Sequence, residues 1–396
     1  MISVDEAIAR ITAAVVPLDS EIVQLHQAHR RVLARDTIAQ VDQPPAPVSA
    51  MDGYAVRFVD AGSAGAVLHV IGTAPAGHPF EASVGGGEAV RIFTGGVLPE
   101  GGDAIVVQED VDVDGERILL RAPATNKHIR VAGLDFRKGD ALVRAGKRLS
   151  ARDLALLAAG DIERVEVRRK PVVAFAATGD ELSLPGEVHR PGGIVASSGY
   201  ALRPLLESWG ADPSDLGILA DSIESLQSIP ARVAHADAVV TMGGASVGDH
   251  DLVQRALVPN GFVLDFWKIA MRPGKPLIFG KLTGKPFLGL PGNPVSSYVC
   301  ATLFLQPLVA ALLGTPFRRQ HETARLSGSL RENDTRQDYI RARLFEREGH
   351  VWAEPFPIQD SSMQSGLARA DALIVRPPHA PPAKDGDRVD VVSLDK

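Results

Sequence analysis

The chain has 396 residues, 45% hydrophobic and 23% charged, which excludes wholesale disorder and allows roughly two to four domains. A net charge of −6 argues against a general binder of nucleic acid or anionic membrane. The single cysteine, Cys300, excludes an intrachain disulfide and a cysteine-rich zinc or iron–sulfur site.

Asp5 and Glu6 in the opening MISVDEAIAR, with no apolar run beside them, do not read as a signal peptide. Ser3-Val4-Asp5-Glu6 reads as a capping box, and Ile8, Ile11 and Val15 follow at helical spacing. The expected helix runs from Val4 to Ala14 and ends before Pro17. A second helix is expected from Leu25 to Ala34. Asp42-Gln43-Pro44-Pro45-Ala46-Pro47 is a stiff, extended connector and a domain boundary. From Met51 to Arg148, β-like runs at Val67–Ile71, Ala104–Gln108 and Ile118–Leu120 alternate with glycine turns, as in a small β domain. Ser150 caps a helix to Ala159, with Gly160 as its stop.

From Pro171 the pattern becomes strand–helix–strand. Val172–Ala176, Ala238–Met242 and Pro286–Leu290 read as strands buried on both faces. Tyr200–Trp209, Ile223–His235, Asp251–Val258 and Pro294–Leu313 read as helices. This alternation predicts βαβ units and a mostly parallel sheet. The apolar stretch Tyr298–Leu313 contains Thr302, Gln306 and Pro307; it reads as a buried helix, too short to span a bilayer. After Gln320, runs at Tyr339–Phe345, Ala372–Arg376 and Arg388–Leu394 predict a small β barrel or sandwich. A cytoplasmic multidomain protein is the expectation.

Three predicted strands end in loops suited to chemistry: Ala177-Thr178-Gly179-Asp180-Glu181-Leu182, Gly243 to Asp251, and Pro291 to Ser297. Ligands of open α/β sheets bind outside the strands' carboxyl ends. Glycine lets backbone amides approach a phosphate, a helix N-terminus favours an anion, and carboxylates beside a phosphate hold Mg²⁺. Lys268, Arg272 and Lys275 lie together between the second and third loops. Acidic and basic loops on one rim suit a ligand with phosphates, a divalent metal and another anion. Each loop alone would be an ordinary turn, helix cap or solvated face. Gly280–Lys285 fails as a P-loop, because Pro286 stands where Ser or Thr is needed. Gly244-Ala245-Ser246-Val247-Gly248 matches the nucleophile elbow of serine hydrolases. Its partner candidates, Asp371 and His379, lie in the β-like tail, which makes a triad hard to build. Two further segments stand out in the N-terminal β domain: Ser49-Ala50-Met51-Asp52-Gly53-Tyr54-Ala55-Val56 and Arg91-Ile92-Phe93-Thr94-Gly95-Gly96.

Taken in order, DQPP, SAMDGYAV, RIFTGG, PEGGDAIV, TGDEL, GGASVGDHD, KIAMRPGKP, LPGNPVSS and LARADALIV resemble the molybdopterin molybdenumtransferase family of MoeA-like proteins and the gephyrin E domain. The resemblance implies four domains: a helical linker domain from 1–41 and 140–168, a β domain at 42–139, an α/β domain at 169–318, and a C-terminal β barrel at 319–396. The α/β domain would be molybdopterin-binding and MogA-like, with a mostly parallel sheet. The implied reaction takes adenylylated molybdopterin and molybdate, releases AMP with Mg²⁺ as cofactor, and leaves molybdenum on the dithiolene.

The resemblance also carries roles onto residues. Asp52, Glu181, Asp221 and Asp251 would be catalytic, with Glu181 and Asp251 on the metal. Thr94, Arg130, Thr178, Gly179, Gly243, Gly244, Ser246, Gly248, Lys268, Arg272, Lys275, Pro291 and Pro294 would bind substrate. A homodimer with a site shared between subunits is implied, with transient contacts to a molybdopterin adenylyltransferase and to molybdoenzyme maturation factors. Ser362 and Gly366 depart from the family's C-terminal motif S-G-M-L-T-S-L-A-R-A, which questions contacts from that loop; Ala245 is a milder departure. An adenylyltransferase would resemble only the α/β domain, and a receptor-clustering scaffold would not need Asp52, Glu181 and Lys275.

Overall fold

Ser3 caps the first helix, α1 (Val4–Ala13): its hydroxyl accepts the Glu6 amide at 3.1 Å. The Glu6 carboxylate pairs instead with Arg10 at 2.6 Å, one turn on. The computed structural model describes residues 1–244, 252, 255–317 and 322–394. The chain forms two compact units, one of 1–21 with 168–396 and the other of 22–167.

In the second unit, β1 (Gly53–Val56), β2 (Val67–Ala74), β3 (Glu88–Ile92), β4 (Ala104–Val107), β5 (Val111–Asp114) and β6 (Arg117–Leu120) form one sheet in the order β4-β1-β3-β2-β6-β5. The β1 strand is buried throughout, because it pairs with β3 on one edge and β4 on the other. Gly53 is needed there: a β-carbon would collide with the Val106 carbonyl oxygen. Helix α2 (Ala151–Ala159) starts at the predicted Ser150, whose side chain exchanges hydrogen bonds with Asp153 in a complete capping box. Leu157 on this helix packs with Ala28, Leu33, Val143, Leu149, Val165 and Val167.

The helix expected over Leu25–Ala34 does not form; only a 3-10 turn at Leu25–Gln27 is helical. Arg30 has a φ of 63°, which a helix does not permit. Its amide and that of Leu33 bond to the Leu149 and Lys147 carbonyls instead. The apolar spacing that imitated a helix therefore serves extended chain lying over a core.

In the first unit, β7 (Val172–Thr178), β8 (Asp212–Leu219), β9 (Ala238–Met242), β10 (Phe262–Lys268), β11 (Pro276–Leu282) and β12 (Lys285–Leu290) form a sheet in the order β8-β7-β9-β12-β11-β10. The first four in that order are mutually parallel, and the last two are antiparallel. Ala174, Ala176, Val239 and Phe287 pack one sheet face against Leu226, Ile229 and Val233. Helix α3 (Ser198–Trp209) ends at Gly210, whose φ of 90° closes the cap.

The helix expected over Ile223–His235 is broken into Ile223–Gln227 and Ile229–Arg232, with Pro230 in the first turn of the second piece. Helix α4 (Pro294–Leu312) carries a π segment at Ala301–Leu305, just before Pro307, which has no amide to donate. With 19 residues, α4 stops one residue short of the expected Pro294–Leu313 helix and, unlike the Tyr298–Leu313 stretch on its own, could cross a bilayer by length and composition. Its window is 78% buried in the protein, however, as a core helix would be.

β13 (Glu322–Leu326), β14 (Gln337–Arg347), β15 (His350–Pro355), β16 (Ala372–Arg376) and β17 (Arg388–Ser393) close a five-stranded barrel in the order β14-β15-β13-β17-β16, with β16 returning to β14. Ala342, Ala353, Ala372, Ile374 and Val391 fill it. Met271–Arg272, from the loop between β10 and β11, pairs parallel with Gln337–Asp338 of β14 and adds itself to the barrel's sheet.

Candidate active site

The carboxyl ends of β7, β8, β9 and β12 meet on one rim. After β7, the Gly179 amide bonds to the Leu219 carbonyl at the end of β8 at 3.2 Å. Asp180 ties the same two loops, its carboxylate accepting the Asp221 amide at 3.1 Å. Glu181 and Asp221 are exposed, and the Glu181 carbonyl is held by the Ile194 amide at 2.9 Å.

After β9, the Gly243 amide bonds to Leu290 at the end of β12 at 3.1 Å. Gly243 has a φ of 107° and lies against Thr178, so a β-carbon there would stand 2.7 Å from the Thr178 hydroxyl. That hydroxyl is buried without a hydrogen-bond partner among the described residues. Gly244 follows with a φ of 64°. After β12, Pro291 is buried, Gly292 faces the Gly243 Cα, and Pro294 opens α4. Thr178, Gly179, Gly243, Gly244, Pro291 and Pro294 therefore gather at one end of the sheet. Ser246, Gly248 and Asp251 lie outside the described residues. The rival hydrolase serine lies there too, and the barrel takes up its acid, since Asp371 accepts the Leu344 amide at 2.7 Å.

The basic loop leaves β10 beside the barrel. Lys268 is half-buried, its ammonium 3.5 Å above the centre of the Trp267 ring. Arg272 donates to Asp338 at 3.1 Å and also to Asp334. Lys275 is exposed, and its carbonyl accepts the Ile269 amide at 3.1 Å. Burial holds the Asp338 carboxyl above the ordinary carboxylate range, against the pull of Arg272.

Sequence reasoning missed Asp334 and Asp338, which stand 62 and 66 residues from Arg272. It also missed Arg341, a guanidinium buried to 2% exposure. Arg341 donates to the carbonyls of Asp360 at 2.8 Å and Met363 at 2.9 Å. The loop it fastens reaches the α/β rim: the Ser361 carbonyl accepts the Val295 amide at 3.1 Å, and its hydroxyl accepts from the Asn293 side chain at 2.9 Å. Gln364 donates to the Ser197 hydroxyl at 2.6 Å. The altered motif thus still makes contacts within this unit. Ser362 folds back on Asp360, and Gly366 is small because Arg341 Nη1 would stand 3.0 Å from a β-carbon.

In the other unit, β1 and β3 bring Asp52 and Thr94 together. The Thr94 amide and hydroxyl both donate to Asp52 Oδ1 at 2.8 Å. These bonds, with Arg91 nearby, hold the Asp52 carboxyl below the ordinary carboxylate range. Arg91 stays in place by donating to the Gly53 carbonyl at 3.2 Å and stacking on Tyr54 at 4.9 Å. Arg130 is exposed and pairs with Val48, on the strand that leads into the Asp52 loop.

A mixed, mostly parallel sheet with glycine-rich and acidic loops at the carboxyl ends of its parallel strands, beside a barrel-anchored basic loop, defines an α/β protein with the rim at which such sheets take their ligands. Family models agree along the chain: the MoeA N-terminal region (domain I and II) matches residues 2–160, a probable molybdopterin binding domain matches 174–311, and the MoeA C-terminal region (domain IV) matches 323–394. The chain is 36% identical to the molybdopterin molybdenumtransferase of Haemophilus influenzae, over 95% of this chain and 94% of that one. It is 33% identical to the Bacillus subtilis protein of the same name, over 95% and 90%. A crystal structure of the molybdopterin biosynthesis MoeA protein from Pyrococcus horikoshii superposes with a TM-score of 0.86 at 31% identity, covering all of both chains. The chain belongs to the MoeA family of molybdopterin molybdenumtransferases.

Proposed function

We propose that the strand-end rim and the basic loop together hold adenylylated molybdopterin and molybdate. The chain is a transferase of molybdenum cofactor biosynthesis that inserts molybdenum into molybdopterin. The observation that carries the finer reading is the convergence of the Thr178–Glu181, Gly243–Gly244 and Pro291–Pro294 loops at one sheet end.

In this reading the glycine loops and the α4 N-terminus take the pterin and phosphate groups. Lys268, Arg272 and Lys275 supply the positive charge that a dianion such as molybdate needs. Asp52, Thr94 and Arg130 serve the site from the β domain, and a homodimer shares each site between subunits.

Mg²⁺ fits the donors present. Asp180, Glu181 and Asp221 offer hard carboxylate oxygens. Among the described residues no cluster of three acidic, histidine or cysteine groups would cage a metal alone. Mg²⁺ is commonly held by one or two carboxylates together with substrate phosphate and water. Glu181 and Asp251 are the proposed ligands, and the ion would neutralise phosphate charge as AMP leaves. Glu181 and Asp221 then orient the adenylate end while the basic loop presents molybdate to the dithiolene.

The test is AMP release from adenylylated molybdopterin by the purified protein. Release should require both molybdate and Mg²⁺. Equal release without either would refute the reading.

A further inference from the structure

Arg272 is held at three points, all within one unit. Its backbone is a strand residue paired with Asp338, and Gln337 extends that pairing by donating its amide to the Ala270 carbonyl at 2.9 Å. Its guanidinium meets two carboxylates that differ in kind. Asp338 is 9% exposed, and its second oxygen, Oδ1, is buried with no hydrogen-bond partner among the described residues. Arg272 bonds directly to that buried carboxylate, with Arg336 and Arg376 attracting it from farther off, so this pair is costly to break. Asp334 has a side chain 47% exposed and shared with Arg336 at 3.3 Å. Solvent replaces such a partner at little cost. Hydrogen bonds from the Arg336 amide and guanidinium hold the Asp334 carboxyl below the ordinary carboxylate range.

We propose that Asp338 is a positioning residue that anchors Arg272, and that Asp334 is a built-in counter-anion which an incoming oxyanion displaces from the same guanidinium. This rests on the reading of Arg272 as an oxyanion contact. It adds that the free protein keeps the Arg272 guanidinium neutralised, so that residue's anion affinity is set by a carboxylate from the barrel. Arg272, Arg336, Asp334 and Asp338 sum to no net charge. A bound dianion beside a retained Asp334 would meet Coulomb repulsion.

Equilibrium dialysis with molybdate alone, molybdenum being counted by mass spectrometry, tests the proposal on the full-length protein. Asp334→Asn keeps an Oδ1 acceptor for the Arg336 amide, so the turn survives. Thermal melting checks that the variant is folded. It should bind molybdate about three- to tenfold more tightly than the unaltered chain. A lesion that merely loosened the loop could not produce such a gain. Arg272→Ala should weaken binding, and adding Asp334→Asn to it should restore nothing. Unchanged or weaker binding in Asp334→Asn, with Arg272→Ala still defective, would overturn the counter-anion proposal alone. Unchanged binding in Arg272→Ala would overturn it together with the reading of the basic loop.

Discussion

Gly243 and Thr178 are packed so closely that no side chain fits between the ends of β9 and β7. A β-carbon on Gly243 would run into the Thr178 carbonyl oxygen and its hydroxyl, at a φ of 107° that disfavours any other residue. Gly243→Ala should therefore cost about 2 kcal/mol or more in stability. Molybdate-dependent AMP release should fall further than stability alone explains, because the rim itself is displaced. Chemical denaturation beside an activity assay checks this, and an active variant of unchanged stability would contradict it.

Asp52 predicts a pH dependence. Its carboxyl titrates below the ordinary 3.8 in the folded protein, because Thr94 donates to it twice. A depressed folded-state value gives stability that is complete above the unfolded-state value and is lost as pH falls through the folded-state one. The stability gap between the unaltered chain and Asp52→Asn should stay constant from neutral pH down to about 5 and close only below the ordinary carboxylate value. Urea unfolding across that range measures it. A gap that is flat throughout would show that the Thr94 bonds do not stabilise the charged form.

Arg341→Met removes the donors that fasten the Asp360–Met363 segment. Leaving those carbonyls without a buried partner should cost about 2–4 kcal/mol. Because Ser361 in that segment holds Asn293 and Val295, the apparent KM for the adenylylated pterin should rise as well. Wild-type melting of the variant would show that the loop is held by something else.

Glu181→Gln and Ser246→Ala separate the two readings of the rim. An amide holds a cation poorly, so Glu181→Gln should lose most activity, whereas Ser246→Ala should keep most of it. The reverse ranking would favour a nucleophilic serine.

A shared site predicts complementation. If Asp52→Asn and Glu181→Gln are each inactive, equal mixing with subunit exchange makes about half of the dimers mixed, and a shared arrangement gives each mixed dimer one intact site. Activity should return to about one quarter of the unaltered level. No recovery in a mixture that native mass spectrometry shows to contain mixed dimers would put Asp52 and Glu181 in the same subunit's site.

What the sequence made legible was local. Val172–Ala176 and Ala238–Met242 are short apolar runs in strands that give way to Gly179 and Gly243, and glycine after a buried strand is a signal carried by neighbours in the chain. Ser150 is likewise readable as a helix cap, because the amide it serves, on Asp153, lies only three residues on. Leu25 to Ala34 misled because apolar spacing does not reveal that Arg30 turns left-handed. The partners of Arg272 and the loop under Arg341 were invisible for a different reason. They depend on the closure of a barrel that brings Asp334, Asp338 and Ser361 to loops many residues away, and no periodicity encodes that register.

The central claim is that AMP release and molybdenum transfer are one reaction. Incubating the protein with adenylylated molybdopterin, Mg²⁺ and molybdate, then isolating the pterin and counting its molybdenum by mass spectrometry against the AMP formed, tests it directly. The account predicts molybdenum-loaded pterin and AMP in equal amounts, both mostly lost in Glu181→Gln. AMP accumulating while the pterin stays free of molybdenum would contradict it.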